Sequence, residues 1–405
     1  MNILFLVPYM PSRIRVRPFQ LVQALAARGH QVTLATAWAT EAERLEIDAL
    51  RGACARVVDV HLPRWRSWAN CLAALPTRTP LQAMYCWHPE LARLAEGLAL
   101  QADVVHVEHL RGSAYALRIR DRLRSSQASV PLVWDSVDCI SLLFEQTTRH
   151  PTGVARAALT RIELGRTRRF EGRLVNSFAR TLATSKTDAQ ALDALAGGES
   201  RPAPVSVLPN GVDLEYFHPA PVTNREPATL VITGKMSYHA NIAMATRFAR
   251  DVFPLIQRRV PEAQLWLVGK DPPAEVRALG RQPGLTVTGT VPDLRPYLQR
   301  AAVALAPVAY GVGIQNKVLE AMACATPVVA SPQAVSALEA VDGRDVVVAD
   351  GPDETAEAVG RLFDDEPRRL AIGSAGRRYV ESHHDWAEIA GRLEEVYHEV
   401  IRSGV

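Results

Sequence analysis

The stretch Val303–Ser331, VALAPVAYGVGIQNKVLEAMACATPVVAS, reads as strand, glycine-bearing loop, helix and strand. Val303–Pro307 and Thr326–Ser331 are short apolar runs without polar alternation, the pattern of strands covered on both faces. Between them a helix is expected from Gln315 to about Cys324, ending at Thr326-Pro327 because the residue before a proline is driven out of helical geometry. The loop Ala309–Gly313 delivers the chain to that helix. Glycines let backbone N–H groups approach an anion, and a helix N-terminus favours negative charge. A diphosphate fits such a place. Lys317, in the first helical turn, adds a positive charge, and Glu320, one turn on, is an acceptor that two ribose hydroxyls could share. A plain glycine loop with a surface Lys–Glu pair has the same spacing, and local pattern alone does not separate the two.

Working outward, the same alternation of short Val/Ile/Leu runs with longer amphipathic segments fills the chain. In the first half the strands expected are Asn2–Pro8, Gln31–Thr36, Val57–His61, Val104–Val107, Pro131–Asp135, Thr181–Ser185 and Val205–Leu208; in the second, Thr229–Thr233, Gln264–Val268, Leu285–Gly289, Val303–Pro307, Thr326–Ser331 and Asp345–Ala349. The pattern starts twice, so two α/β domains of doubly wound, Rossmann-like build are expected, facing each other across a cleft. The proline- and Asn-Gly-punctuated stretch Pro209–Pro227 reads as the hinge. The domains expected are 1–215 and 216–384. A terminal helix over 385–405, with Trp386, Ile389, Leu393, Val396, Tyr397 and Ile401 at helical spacing, is expected to pack back on the first domain.

Composition narrows the function classes. With 405 residues, 48% hydrophobic, 22% charged and a net charge of +3, two ordinary cores can form and nucleic acid is not indicated as a partner. Cys54, Cys71, Cys86, Cys139 and Cys324 are odd in number and scattered, without metal-ligand spacing, which points to a reduced, cytoplasmic setting. No run reaches membrane-spanning length, and the opening MNILFLVPYM lacks the signal-peptide pattern. Neither half carries G-x-G-x-x-G after its first strand, which disfavours a dinucleotide oxidoreductase.

The segment LEAMACATPVVAS, together with Leu208-Pro-Asn-Gly-Val-Asp213 and Phe217, resembles the retaining glycosyltransferases of family 4, a GT-B fold family, and within it the bacterial exopolysaccharide-type members. The resemblance continues in order through GHQVTLAT at Gly29–Thr36, DVVHVEH at Asp103–His109, WDSVD at Trp134–Asp138 and TGKMSYHANI at Thr233–Ile242. It implies transfer of a sugar, with retention, from a UDP-, GDP- or ADP-sugar to a glycan, lipid-linked or small-molecule acceptor such as a cell-envelope glycan. It also implies that Glu320 holds the nucleotide ribose, that Lys235 and Lys317 neutralise the diphosphate, and that Gly234, Gly311, Val312, Gly313 and Asn316 complete the donor grip. Val312 departs from the family, which has a second glutamate there, eight residues before Glu320. The donor-sugar end is therefore the part the resemblance specifies least.

On the acceptor side, the first strand runs out into Tyr9 and then Arg15 and Arg17, arginines suited to gripping an anion bidentately. His106 reads as a packed histidine, whereas His109 at the strand end is the candidate for the position that in relatives lies beside the donor sugar; register leaves Glu108 as its alternative. Asp135 and Asp138 close a strand and are candidates for acceptor contact, with helix capping as the other reading. Pro63–Trp68 and Thr77–Trp87 mix arginine with Trp and Tyr, a chemistry shared by peripheral membrane contact and by half-buried helices. Arg161–Arg173 reads as a basic helix interrupted by glutamates. No D-x-D triplet occurs, so no metal is expected, and leaving-group charge falls to Lys235, Lys317 and the helix terminus. The competing functions are a GT-B-fold sugar-nucleotide epimerase and a catalytically silent sugar-nucleotide-binding subunit.

Overall fold

The computed structural model describes residues 1–12, 15–148, 154–197, 204–220, 225–309 and 313–404. Two compact units emerge, one of residues 1–210 plus the helix Trp386–Ser403, the other spanning Gly211–Asp385.

The first unit is a seven-stranded sheet whose strands are β1 (Asn2–Val7), β2 (Gln31–Trp38), β3 (Arg56–His61), β4 (Val104–Glu108), β5 (Leu132–Val137), β6 (Arg180–Ala183) and β7 (Ser206–Val207). Every pairing is parallel and the order is β3-β2-β1-β4-β5-β6-β7. Five of the six residues of β1 and all five of β4 are buried, as the unbroken apolar runs demand when helices cover both faces. The helix Trp386–Ser403 is part of this unit's core. Its Trp386, Ile389, Leu393, Tyr397 and Val400 pack among Phe5, Leu21, Leu25 and Leu34, and Glu394 pairs with Arg28 at 2.7 Å.

The second unit repeats the plan with β8 (Glu226–Thr233), β9 (Gln264–Val268), β10 (Leu285–Gly289), β11 (Ala301–Ala306), β12 (Val328–Ala330) and β13 (Val347–Val348), all parallel in the order β10-β9-β8-β11-β12-β13. The doubly wound α/β reading of the sequence is met strand by strand. In each sheet the chain leaves two central neighbours in opposite directions, β1 and β4 in the first and β8 and β11 in the second. Loops diverge there and open a crevice at the carboxyl ends of the strands, the place where such sheets take ligands. Among the described residues no helix is long and apolar enough to cross a membrane.

Candidate functional site

In the second unit the crevice lies at the ends of β8 and β11. Gly234 follows β8 with φ +147° and Gly269 follows β9 with φ +155°; a Cβ on Gly269 would stand 1.8 Å from the Gly234 carbonyl oxygen. The two turns run in backbone contact, which only glycine allows. Asn241, in the helix His239–Arg247, then ties the site together. Its Nδ2 donates to the Lys235 carbonyl at 2.9 Å and its Oδ1 accepts from Lys317 Nζ at 2.7 Å. Lys317 Nζ also lies 3.7 Å from Met244 Sδ.

Lys317 and Glu320 stand on the helix Asn316–Ala323, which Gln315 precedes without a side-chain cap. Burial draws the Lys317 ammonium down to about 8, opposed by Glu320, and pushes the Glu320 carboxyl up to about 7, opposed by Lys317. Both groups are short of solvent and each favours an incoming polar partner. The Lys235 side chain is exposed. Gly313 takes φ +68°, and Gly311 and Val312 lie outside the described residues. A cavity of ≈ 80 Å³ lies beside Met244, lined also by Val308, Ala309, Ser331 and Asp350. Gly234, Lys235, Asn316, Lys317 and Glu320 are thus gathered at one sheet edge.

In the first unit the crevice lies at the ends of β1 and β4. Tyr9 donates its hydroxyl to Glu108 Oε1 at 2.7 Å, while Glu108 Oε2 is buried without a hydrogen-bond partner. Burial, reinforced by Asp135, pushes the Glu108 carboxyl up to about 8. His109 follows with φ +65°, unusual for a residue with a side chain. Its Nδ1 accepts from the Arg111 amide at 3.2 Å, which leaves the proton on Nε2. Burial, followed by Arg111, draws the imidazole down to about 3, so the ring is neutral and presents a donor.

Arg17 and Asp135 correct the sequence reading. Arg17 is 5% exposed and its guanidinium is engaged: Nε donates to Asp135 Oδ2 at 2.8 Å, and Nη1 to the Asn210 Oδ1 at 2.9 Å and the Pro209 carbonyl at 3.1 Å. Asp135, wholly buried, also accepts from the Val137 amide. Neither is available to an anion or an acceptor. They form an internal ion pair, because Arg17 at the start of the helix Val16–Ala27 reaches Asp135 in β5 at 2.7 Å. His106 completes the cluster, its Nε2 3.6 Å from Asp135 and its Nδ1 2.9 Å from the Tyr397 hydroxyl. Burial draws its imidazole down to about 4, in keeping with the packed role read from the sequence.

Arg15 keeps a half-exposed side chain but pairs with Glu43 at 3.1 Å and lies over the Tyr9 ring at 5.1 Å. Asp138 caps no helix. The Ile140 and Ser141 amides donate to Glu171 and the Cys139 amide to Asp188, while Asp138 accepts from Thr184 at 3.4 Å and is pushed up to about 7, by burial and then by Asp188. Asn241 was hidden inside the motif TGKMSYHANI; a signal for it exists, an amide in the first helical turn after a glycine-ended strand. Among the described residues no group of three or more His, Cys, Asp and Glu is arranged to hold a metal.

Glu108 yields a pH prediction. Below its ordinary value near 4.5 both states hold the proton. From there up to about 8 the folded chain keeps a proton that the unfolded chain has released, so this group's contribution to stability is lost as pH rises. Glu108→Gln should flatten the fall in melting temperature between about pH 5 and pH 8 and melt above wild type at the upper end. Parallel melting curves for both proteins across that range would refute it.

Residues 14–211 match the family described as Glycosyl transferase 4-like domain, and residues 227–365 match Glycosyl transferases group 1. The GDP-mannose-dependent alpha-(1-6)-phosphatidylinositol monomannoside mannosyltransferase of Mycolicibacterium smegmatis is 30% identical over 209 residues, covering 47% of this chain and 55% of the relative. The alpha-maltose-1-phosphate synthase of the same organism is 31% identical over 225 residues, 49% of this chain and 58% of the relative. The chain thus spans little more than half the length of these curated relatives. Among solved structures, Anabaena Alr3699/HepE in complex with UDP and glucose aligns with TM-score 0.67 at 16% identity, over 98% of this chain and 100% of that one. Sucrose-phosphate synthase from Thermosynechococcus elongatus aligns with TM-score 0.68 at 17% identity over the full length of both. Two glycosyltransferase domains in this order, on a fold shared with these enzymes, place the chain among the GT-B glycosyltransferases.

Proposed function

We propose that the protein transfers a sugar from a nucleoside-diphosphate sugar to a glycan, lipid-linked or small-molecule acceptor, with retention of anomeric configuration and without a metal ion. The observation that carries this is the clamp on Lys317. An ammonium half-buried in the first turn of an uncapped helix, fixed by Asn241 at 2.7 Å, is placed to meet a diphosphate beside the helix's own N–H groups. Glu320, one turn on, takes the ribose hydroxyls. Lys235, exposed at the end of β8, supplies further positive charge to the departing diphosphate. In the first unit His109 is a neutral imidazole held by the Arg111 amide, suited to donating a hydrogen bond to a sugar hydroxyl. It is unsuited to acting as a general base, since its proton affinity is so low.

The donor class is supported by the relatives' names, one GDP-mannose-dependent, and by a neighbour that binds UDP and glucose. A panel of UDP, GDP and ADP tests it, because a ligand that binds only the folded chain raises the melting temperature. One of the three should do so, and Glu320→Ala should weaken that nucleotide by about ten-fold or more through loss of its charged hydrogen bonds. No shift with any of them, or an unchanged variant, would remove the donor assignment. Acceptor-dependent release of nucleoside diphosphate then separates transfer from epimerisation and from a silent binding subunit.

A further inference from the structure

We propose that an arginine-flanked apolar face of the first unit, built on the helix Arg64–Ala74 and continued by Leu159 and Ile162, is a docking surface for an anionic lipid membrane. This inference goes beyond the transfer reaction and does not depend on which donor is used.

The helix Arg64–Ala74 is oriented with its apolar side outward. Its buried residues are Ser67 and Ala74. Trp65 is 67% exposed, Trp68 67%, Leu72 66% and the following Leu75 44%. At 100° per residue these four fall within a single narrow stripe. Two exposed tryptophans and two leucines on one stripe do not arise as scattered surface residues; contiguous apolar surface on a folded chain marks a contact.

The neighbouring helix Val154–Val175 extends the face. Arg166 Nη2 donates to the Leu75 carbonyl at 2.6 Å, and Glu163 accepts from the Leu81 amide at 2.8 Å. Leu159 and Ile162, 49% and 56% exposed, stand within two turns of these contacts. Both glutamates of this helix turn inward. Glu163 is 6% exposed and pairs with Arg166, and Glu171 is fully buried against the Ile140 and Ser141 amides. Its outer side therefore carries Arg161, Arg168 and Arg169, all exposed, and no acid. The helix Arg64–Ala74 and the turn after it are alike: Arg64 and Arg78 are exposed, and no Asp or Glu occurs between Asp59 and Glu90.

The charge decides the occupant. Trp and Leu beneath a rim of arginines match the acyl boundary and the phosphates of an anionic bilayer. A second copy seated across a two-fold axis would set arginine against arginine, since such an interface is self-complementary.

Sedimentation with vesicles tests this, using phosphatidylcholine alone or with about one-third phosphatidylglycerol. The protein should bind the mixed vesicles, release in about 0.5 M NaCl, and show a blue-shifted tryptophan emission when bound. The triple variant Trp65→Ser, Trp68→Ser, Leu72→Ser should lose about ten-fold or more of that affinity while its circular dichroism is unchanged. Arg64→Glu with Arg161→Glu should also bind the mixed vesicles less well and leave the fold intact. Absent binding, equal binding to both vesicle types, a triple variant that binds like wild type, or a dimer in solution that the triple variant abolishes would each overturn the proposal.

Discussion

Replacing Lys317 with alanine should lower the rate of sugar transfer by about 10²–10³-fold, the usual cost of removing one preorganised charge from a departing oxyanion. On the proposed function the ammonium serves that task rather than stability. It is half-buried, is held by one amide oxygen and one sulfur, and has no carboxylate within ion-pairing distance among the described residues. Burial disfavours its charge, so alanine should leave the melting temperature level or raise it. The loss should appear in kcat more than in KM if the charge meets the diphosphate most strongly as it leaves. Because burial draws Lys317 down to about 8, wild-type turnover should fall as pH rises through that value, and Lys317→Arg should move the fall to higher pH. Full activity in Lys317→Ala, measured as acceptor-dependent nucleoside diphosphate release, would show that the helix N-terminus suffices without it.

Breaking the Arg17–Asp135 pair should be the costliest single change to stability. Both partners are almost wholly excluded from solvent, 2.7 Å apart, and removal of one leaves an uncompensated buried charge, at about 3–5 kcal/mol. Arg17→Met should lower the melting transition of the first unit by several degrees and leave the second unit's transition in place, so differential scanning calorimetry should resolve two events where wild type shows closer ones. Arg17→Met with Asp135→Leu should recover much of the loss, since the pair is then replaced by apolar volume. A single variant that melts with wild type would mean that water reaches the cluster.

The two predictions bear on what can be read from residues in order. All thirteen strands among the described residues were legible, because a sheet covered on both faces leaves uninterrupted apolar runs and each begins and ends on its own local pattern. The juxtaposition at the candidate donor edge was legible in part, since Lys317 and Glu320 share one helix and their spacing is fixed by its period. Asn241 was not, because its partner Lys317 is 76 residues away and no local period links them. Arg17 was misread for the same reason. An arginine near a strand end offers an anion grip in sequence, and only the meeting of Arg17 with β5, 118 residues away, reveals that Asp135 already occupies it. In sequence Arg161–Arg173 is a basic helix interrupted by glutamates, and the inward turn of those glutamates is visible only with Leu81, Ile140 and Ser141 in place.

The helix Trp386–Ser403 carries a consequence for how the chain is made. Tyr397 meets His106 across 291 residues, and the ribosome emits the whole of the second unit before the residues that fill the space beside Phe5, Leu21 and Leu25. The second unit has all its own strands in one continuous span and can close as it emerges. The first unit, although begun earlier, stands with a hydrophobic slot open throughout that interval. Contacts of such long separation form late and slowly, so of these two units the one translated earlier is expected to finish later, and its open slot is where a chaperone has most to protect.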